Sequence, residues 1–358
     1  MKGFLVLETG EVFEGLWKGG SARAGEVVFN TSHSGYEEMA TDPSYFSQIL
    51  VTSAPMQGNY GAQDEFWESQ QIHVRGFISL EIQDSKRDSV WLNRLLHKQI
   101  PVLTEIDTRK LIFRLRDQGT VWGALVPEND KEAALHEART LIHQAKNKEK
   151  DWVHLVSVKE PTPYKGLVSN GPRIAVLDFG FKMNIIRELQ KRSKEVCVFP
   201  SRTKPEDIEA WNPDGIVLSN GPGDPAEVKV APDTVKNLIG KYPIFGICMG
   251  HQILSLALGF ETYPLKFGHR GSNHPIKDTL LNKVYVTAQN HGYAVKEKLT
   301  KENGIEITHT NLNDMTVAGL MSKKLNCMSV QFHPESHPGP HDAENLFDYF
   351  IKEMVGHD

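Results

Sequence analysis

From Ile174 onward the chain alternates short apolar runs with stretches of helical periodicity. Ile174 to Leu177, Val196 to Phe199, Gly215 to Leu218 and Pro243 to Gly246 each have the length of a buried strand. Asn184 to Lys191, Ala231 to Ile239 and the run after Gly246 read as the helices between and after them. Parallel neighbours cannot be joined by a hairpin and need a crossover of helix length. This order therefore predicts βαβ units and a mostly parallel sheet flanked by helices.

The first half reads differently, as a smaller mixed α+β domain over 1–150. Gly3 to Leu7 and Val12-Phe13 flank Glu8-Thr9-Gly10-Glu11 and predict a hairpin. Val27 to Phe29, Ile49 to Val51 and Phe77 to Leu80 read as further strands, and Asp107 to Leu115 and Lys131 to Ala145 as amphipathic helices. The charged run 146–150 reads as a solvated helix end. Between the halves, 151–172 is rich in Pro, Gly and polar residues and reads as a linker. A length of 358 residues suits two domains, the second being 173–358. There is no internal repeat.

Composition narrows the class. Three Cys in so long a chain exclude a disulfide scaffold and point to a reducing compartment. A formal net charge of −5 argues against nucleic acid or an anionic membrane as the main partner. The N-terminal apolar run is cut short by Glu8 and Glu11, and Pro243 to Phe260 carries His251 and Gln252 near its middle, so neither a signal-peptide core nor a membrane span is expected. The expected location is cytoplasmic.

The sharpest local signal is Gly246-Ile247-Cys248-Met249-Gly250, between a strand and a helix. It has the form of a nucleophile elbow. The central residue takes a strained backbone conformation, so its flanking positions must lack side chains. The helix that follows presents its positive end to the sulfur, and the N–H after the nucleophile can face a developing oxyanion. The same pentapeptide also fits a structural Cys in a Gly-rich turn.

A thiol nucleophile needs a base, and the base needs an orienting group. Met328 to Phe332 reads as a strand ending in His333-Pro334-Glu335. On an extended chain residues i and i+2 share a side, so Glu335 can accept from one ring nitrogen of His333 and leave the other for Cys248. Ser219-Asn220-Gly221-Pro222-Gly223-Asp224-Pro225 follows a strand and is either a tight turn or a nest of backbone N–H groups for an anion. No Gly-Lys-Ser/Thr follows it, and no dinucleotide fingerprint is present, so no nucleotide site is expected in this chain. His337 and His341 lack metal-ligand spacing, and no metal is expected. Cys197 and Cys327 read as structural residues.

Together the elbow, the His-Pro-Glu unit about 85 residues on and the Gly-Pro-Gly-Asp-Pro loop resemble the class I, triad-type glutamine amidotransferases, from Arg173 to the C-terminus. Phe29-Asn30-Thr31, Ser34-Gly35-Tyr36, Thr41 to Tyr45, Gly58-Asn59-Tyr60-Gly61 and Ile106 to Arg109 resemble the N-terminal domain of the carbamoyl phosphate synthetase small chains. Asp178-Phe179-Gly180, Lys182, Asn184, Gly268 to Gly271, Gln289 to Gly292 and Pro338 to Asp342 agree with that family. Tyr293, where a Phe is common, and Ser336-His337 depart from it without touching the triad.

The resemblance implies a glutaminase that feeds a synthetase. Cys248 would attack the glutamine side-chain amide, with His333 as base and acid and Glu335 as orienter. Gly221 and Met249 would supply oxyanion N–H groups, and Ser44, Gly223, Gln252, Asn290, Gly292 and Tyr293 would surround the glutamine. Ammonia would pass to a separate large chain carrying the ATP and Mg²⁺ sites, in a heterodimer that makes carbamoyl phosphate from bicarbonate for arginine or pyrimidine synthesis. Another triad amidotransferase, or a free-standing glutaminase, would share the triad but have no use for the first domain.

Overall fold

The computed structural model describes residues 1–85, 90–148, 150–296 and 304–357. The chain forms two compact units: Met1–Glu149 with Lys266–Arg270, and Lys150–Leu265 with Gly271–Asp358.

The first unit is built on a closed barrel. Its strands are β1 (Lys2–Leu7), β2 (Val12–Gly19), β3 (Arg23–Asn30), β4 (Gln48–Thr52), β6 (Gly76–Ile78), β8 (Val102–Thr104) and β9 (Val121–Val126). They close in the order β1-β2-β8-β6-β4-β3-β9, and two short strands, β5 (Met56–Gln57) and β7 (Glu81–Ile82), pair apart from them. The expected hairpin is present, with Leu5 opposite Phe13. Alternate side chains point inward, so Leu5, Leu7, Val27, Ile49, Val51, Leu103 and Leu125 fill one core, joined by Leu111 and Leu115 of a helix over Thr108–Gln118. Asp107 caps that helix by accepting from the N–H of Lys110 at 2.9 Å. The helix Lys131–Lys146 lays Ala134, Ala138 and Ile142 on Phe4, Val6, Ala124 and Val126. That i, i+4, i+8 spacing is one helical face.

The second unit is a ten-stranded sheet. Its strands are β10 (Thr162–Lys165), β11 (Arg173–Leu177), β12 (Glu195–Phe199), β13 (Gly215–Leu218), β14 (Ile244–Ile247), β15 (Thr262–Asp278), β16 (Lys283–Val295), β17 (Ile305–Asn311), β18 (Val317–Ser322) and β19 (Cys327–Val330). The order is β10-β12-β11-β13-β14-β19-β18-β16-β15-β17. β12, β11, β13, β14 and β19 run parallel, as the alternation predicts. Helices Met183–Gln190, Ala231–Leu238 and Met249–Ala257 connect or follow them. Buried Ile, Val, Leu and Phe occupy both sheet faces, which explains why these strands read as unbroken apolar runs.

Residues 151–172 are more than a linker. They form the helix Trp152–Val156 and edge strand β10, which pairs antiparallel with β12. Pro163 fits there because an edge strand needs only half of its ladder bonds.

Candidate active site

In the ordered row β11-β13-β14-β19, the segment leaving the C-terminal end of each strand contributes to one place. Crevices at these strand ends are where open α/β sheets bind ligands. Residues 178–184 follow β11, 219–225 follow β13, Cys248 follows β14, and the turn at His333 lies just past β19.

Cys248 sits between β14 and the helix Met249–Ala257 at φ 54°, ψ −101°. This conformation costs a non-glycine residue on the order of 1–3 kcal/mol. The elbow's glycines are sterically required. A Cβ on Gly246 would stand 2.6 Å from the carbonyl oxygen of Gly250, and one on Gly250 would stand 2.1 Å from that of Leu218. The Cys248 N–H donates to Val330 O at 2.9 Å, which ties the elbow to β19, and the thiol donates to Asn290 O at 3.7 Å.

His333 and Glu335 are buried, with Nδ1 2.6 Å from Glu335 Oε1. The strand β19 stops at Val330, and a turn brings the two side chains together; Ser336 N–H donates to His333 O at 3.2 Å. The pairing thus arises from a turn and not from the extended i, i+2 geometry expected from the sequence. His333 Nε2 makes no hydrogen bond of ordinary geometry among the described residues, but Cys248 lies near enough to influence the ring. Burial disfavours the imidazolium, but Glu335 and then Cys248 outweigh it, and His333 is held well above the usual histidine range. Burial likewise works against the Glu335 carboxylate. Lys182 first, and then His333, overcome this and hold the carboxyl well below the usual range.

Lys182 is a buried residue whose place beside Glu335 the sequence did not reveal. Its ammonium is 3.1 Å from Glu335 Oε1, with both side chains out of solvent, and it also donates to Ser336 O. Asn184 donates to Glu335 O. The Lys182 N–H donates to Asn220 Oδ1 at 2.9 Å, joining this group to the 219–225 loop. The only sequence signal was the position of Lys182 and Asn184 just after Asp178-Phe179-Gly180.

The loop itself is held close. A Cβ on Gly221 would stand 2.1 Å from Phe179 O, and Gly250 N–H donates to Ser219 O at 2.9 Å. Met249 is buried directly after the nucleophile. The Gln252 side chain donates to Tyr293 O at 2.9 Å and Gln331 Oε1 at 3.1 Å. Asn290, Gly292 and Tyr293 all lie on β16, and Ala288 of the same strand bridges to His333. Ser44 belongs to the first unit, in the turn Pro43–Tyr45, where its N–H donates to Asp42 Oδ1 at 2.8 Å. Among the described residues, no group of three or more His, Cys, Asp or Glu could hold a metal, and no helix is long and apolar enough to cross a membrane.

This arrangement brings a thiol, an imidazole, a carboxylate and a buried ammonium together beside the 219–225 loop. The family model "Glutamine amidotransferase class-I" matches residues 175–353, and "Carbamoyl-phosphate synthase small chain, CPSase domain" matches 5–125. The carbamoyl phosphate synthase small chain of Clostridium acetobutylicum is 44% identical over 356 residues, covering 98% of this chain and 99% of its own. That of Clostridium perfringens is 45% identical with the same coverage. A solved glutamine amidotransferase from Thermotoga maritima is 18% identical, with a TM-score of 0.36, over 46% of this chain and 76% of that one. The chain belongs to the carbamoyl phosphate synthase small chain family.

Proposed function

We propose that this chain is the glutaminase subunit of a glutamine-dependent carbamoyl phosphate synthase. The observation that carries the reading is the row of side chains Lys182, Glu335, His333 and Cys248 at the ends of β14 and β19. Glu335 accepts from Nδ1 of His333, which fixes the ring and leaves Nε2 for the sulfur. The thiol proton goes to His333, and Cys248 Sγ bonds to the side-chain carbonyl carbon of glutamine. The tetrahedral oxyanion is met by the N–H groups of Met249 and Gly221. His333 then protonates the departing nitrogen, the C–N bond breaks, and ammonia leaves a glutamyl thioester. Water, deprotonated by His333, adds to the thioester, and glutamate and free Cys248 result.

Glu335 favours the protonated ring, so once His333 has taken the thiol proton it keeps that proton until the poor leaving group receives it. Gln252, Asn290, Gly292, Tyr293 and Gly223 surround the place where the substrate's α-amino and α-carboxylate groups would lie. Ammonia goes to a large-chain partner that carries ATP and Mg²⁺. The chain alone should release ammonia from glutamine slowly and make no carbamoyl phosphate. Cys248→Ser should abolish glutamine use while the complex with its large chain still works from free ammonia. Near-wild-type glutamine use by that variant would defeat the assignment.

A further inference from the structure

Residues 151–158 lie between the two stretches matched by family models, yet they are fastened to the loops that form the site. Asp151 is buried; Oδ1 accepts from His154 N–H at 3.1 Å, and Oδ2 accepts from Arg202 Nη2 at 2.7 Å. Val153 is fully buried in the core shared with Phe179, Leu218 and Met249. Ser157 Oγ accepts from Ser201 N–H at 2.9 Å. Val158 N–H donates to Asp178 Oδ2 at 2.7 Å, while Asp178 Oδ1 accepts from the N–H groups of Gly180 and Phe181 at 2.7 and 2.9 Å. The same carboxylate therefore fixes both this segment and the turn leading to Lys182.

Trp152 makes the second connection. Gly223 has φ +91°, and a Cβ built on it would stand 3.3 Å from Cε3 and 3.7 Å from Cβ of Trp152. The indole therefore stands beside Gly223, one side chain's width from the backbone of the 219–225 loop. At Gly221 the close neighbour is Phe179 O. The loop thus has neighbours at both Gly221 and Gly223, and the second is supplied by a residue upstream of the matched amidotransferase stretch.

We propose that Trp152 is a positioning residue for glutamine hydrolysis, bracing the Gly221–Gly223 backbone so that the Gly221 N–H meets the oxyanion. This rests on the glutaminase reading above. Misplacing such a group by about 1 Å can cost about 10²-fold in rate. A loop that keeps its neighbour at Gly221 should lose less, about tenfold.

The test uses the full chain and steady-state ammonia release over a range of glutamine concentrations. Trp152→Ala should lower kcat about tenfold and change KM less than about threefold, because the oxyanion exists only after attack. Alkylation of Cys248 by iodoacetamide forms no oxyanion, so its rate should stay at the wild-type value. Trp152→Leu, which refills only part of the space, should stay about threefold below wild type in kcat with alkylation unchanged, and if the Ala variant does not fold, a Leu variant at wild-type kcat overturns the brace. Leu155→Ala, on the exposed side of the same helix at 45% exposure, should behave as wild type. A kcat within about twofold of wild type for Trp152→Ala, or a loss shared equally by alkylation, overturns the brace alone. A wild-type chain that releases no ammonia from glutamine overturns the glutaminase reading, and the brace with it.

Discussion

Lys182→Met removes the ammonium and keeps the chain length, which isolates the charge. The Nζ to Oε1 distance is 3.1 Å, with exposures of 3% and 0%. At an effective dielectric of about 20, that separation corresponds to about 5 kcal/mol of attraction, an upper bound on the net effect. Removing one member of a buried pair leaves the other charge unpaired and typically costs about 3–5 kcal/mol. Here His333 still faces Glu335, so the lower figure of about 3 kcal/mol is expected at pH 7. In a unit of about 200 residues, each kcal/mol moves the melting temperature by about 2–4 °C, which gives a fall of about 6–12 °C. The pH dependence has a definite sign. A carboxyl depressed in the folded state adds stability that is present above its unfolded value and lost as pH falls through the folded one. Lys182 is the largest cause of that depression, so in the variant the acid loss of stability should be smaller and should be complete at higher pH. Glutamine hydrolysis should show the same shift in its acid limb, and kcat should fall at least about tenfold as His333 loses its fixed orientation. Thermal melts and pH–rate profiles of both proteins, between pH 4.5 and 8, make the comparison. A variant that melts within about 1 °C of wild type, with an unmoved acid limb, would refute the role given to Lys182.

Two further perturbations test other parts of the chain. Gly221→Ala places a Cβ 2.1 Å from Phe179 O, so the loop must shift; glutamine kcat should drop about 10²-fold, with Cys248 alkylation retained, and a fall of less than about threefold would remove Gly221 from the oxyanion site. In the first unit, the buried Glu37 carboxylate accepts from the Gln63 N–H and, at 2.8 Å, from Trp67 Nε1; burial, the largest influence, pushes its pKa up to about 7. A raised carboxyl pKa means that ionisation costs stability, so this cost grows as pH rises through the folded value. Glu37→Gln should therefore gain about 1 kcal/mol relative to wild type between pH 6 and 8; denaturant melts with the same pH slope in both proteins would exclude the effect.

The parts of the site that could be read from the sequence are those whose chemistry is local. The elbow announces itself because Gly246 and Gly250 meet backbone within 2.6 Å, a demand only glycine satisfies. His333 and Glu335 are two residues apart, so any compact backbone there allows them to pair, and the turn that replaces the expected extended geometry left the pairing intact. The strands β11 to β14 are buried on both faces and show as apolar runs. Lys182 escaped because a lysine is ordinarily a surface residue, and its burial depends on a carboxylate 153 positions away in the chain. Barrel closure escaped for a similar reason. β6 and β8 have three residues each, too few to establish a period, and β1 meets β9 in pairs such as Phe4 with Val126 that no local pattern encodes. The 151–172 segment misleads because Pro and Gly set its composition, whereas its attachment is made by single groups: one carboxylate oxygen of Asp151, the hydroxyl of Ser157 and the N–H of Val158. Each of these bonds joins loops distant in sequence, so the brace follows from the same nonlocal geometry that placed Lys182 against Glu335. Motifs singled out Cys248, His333 and Glu335, whereas the residues packed around them, Lys182 among them, are brought there by contacts between strand-end loops.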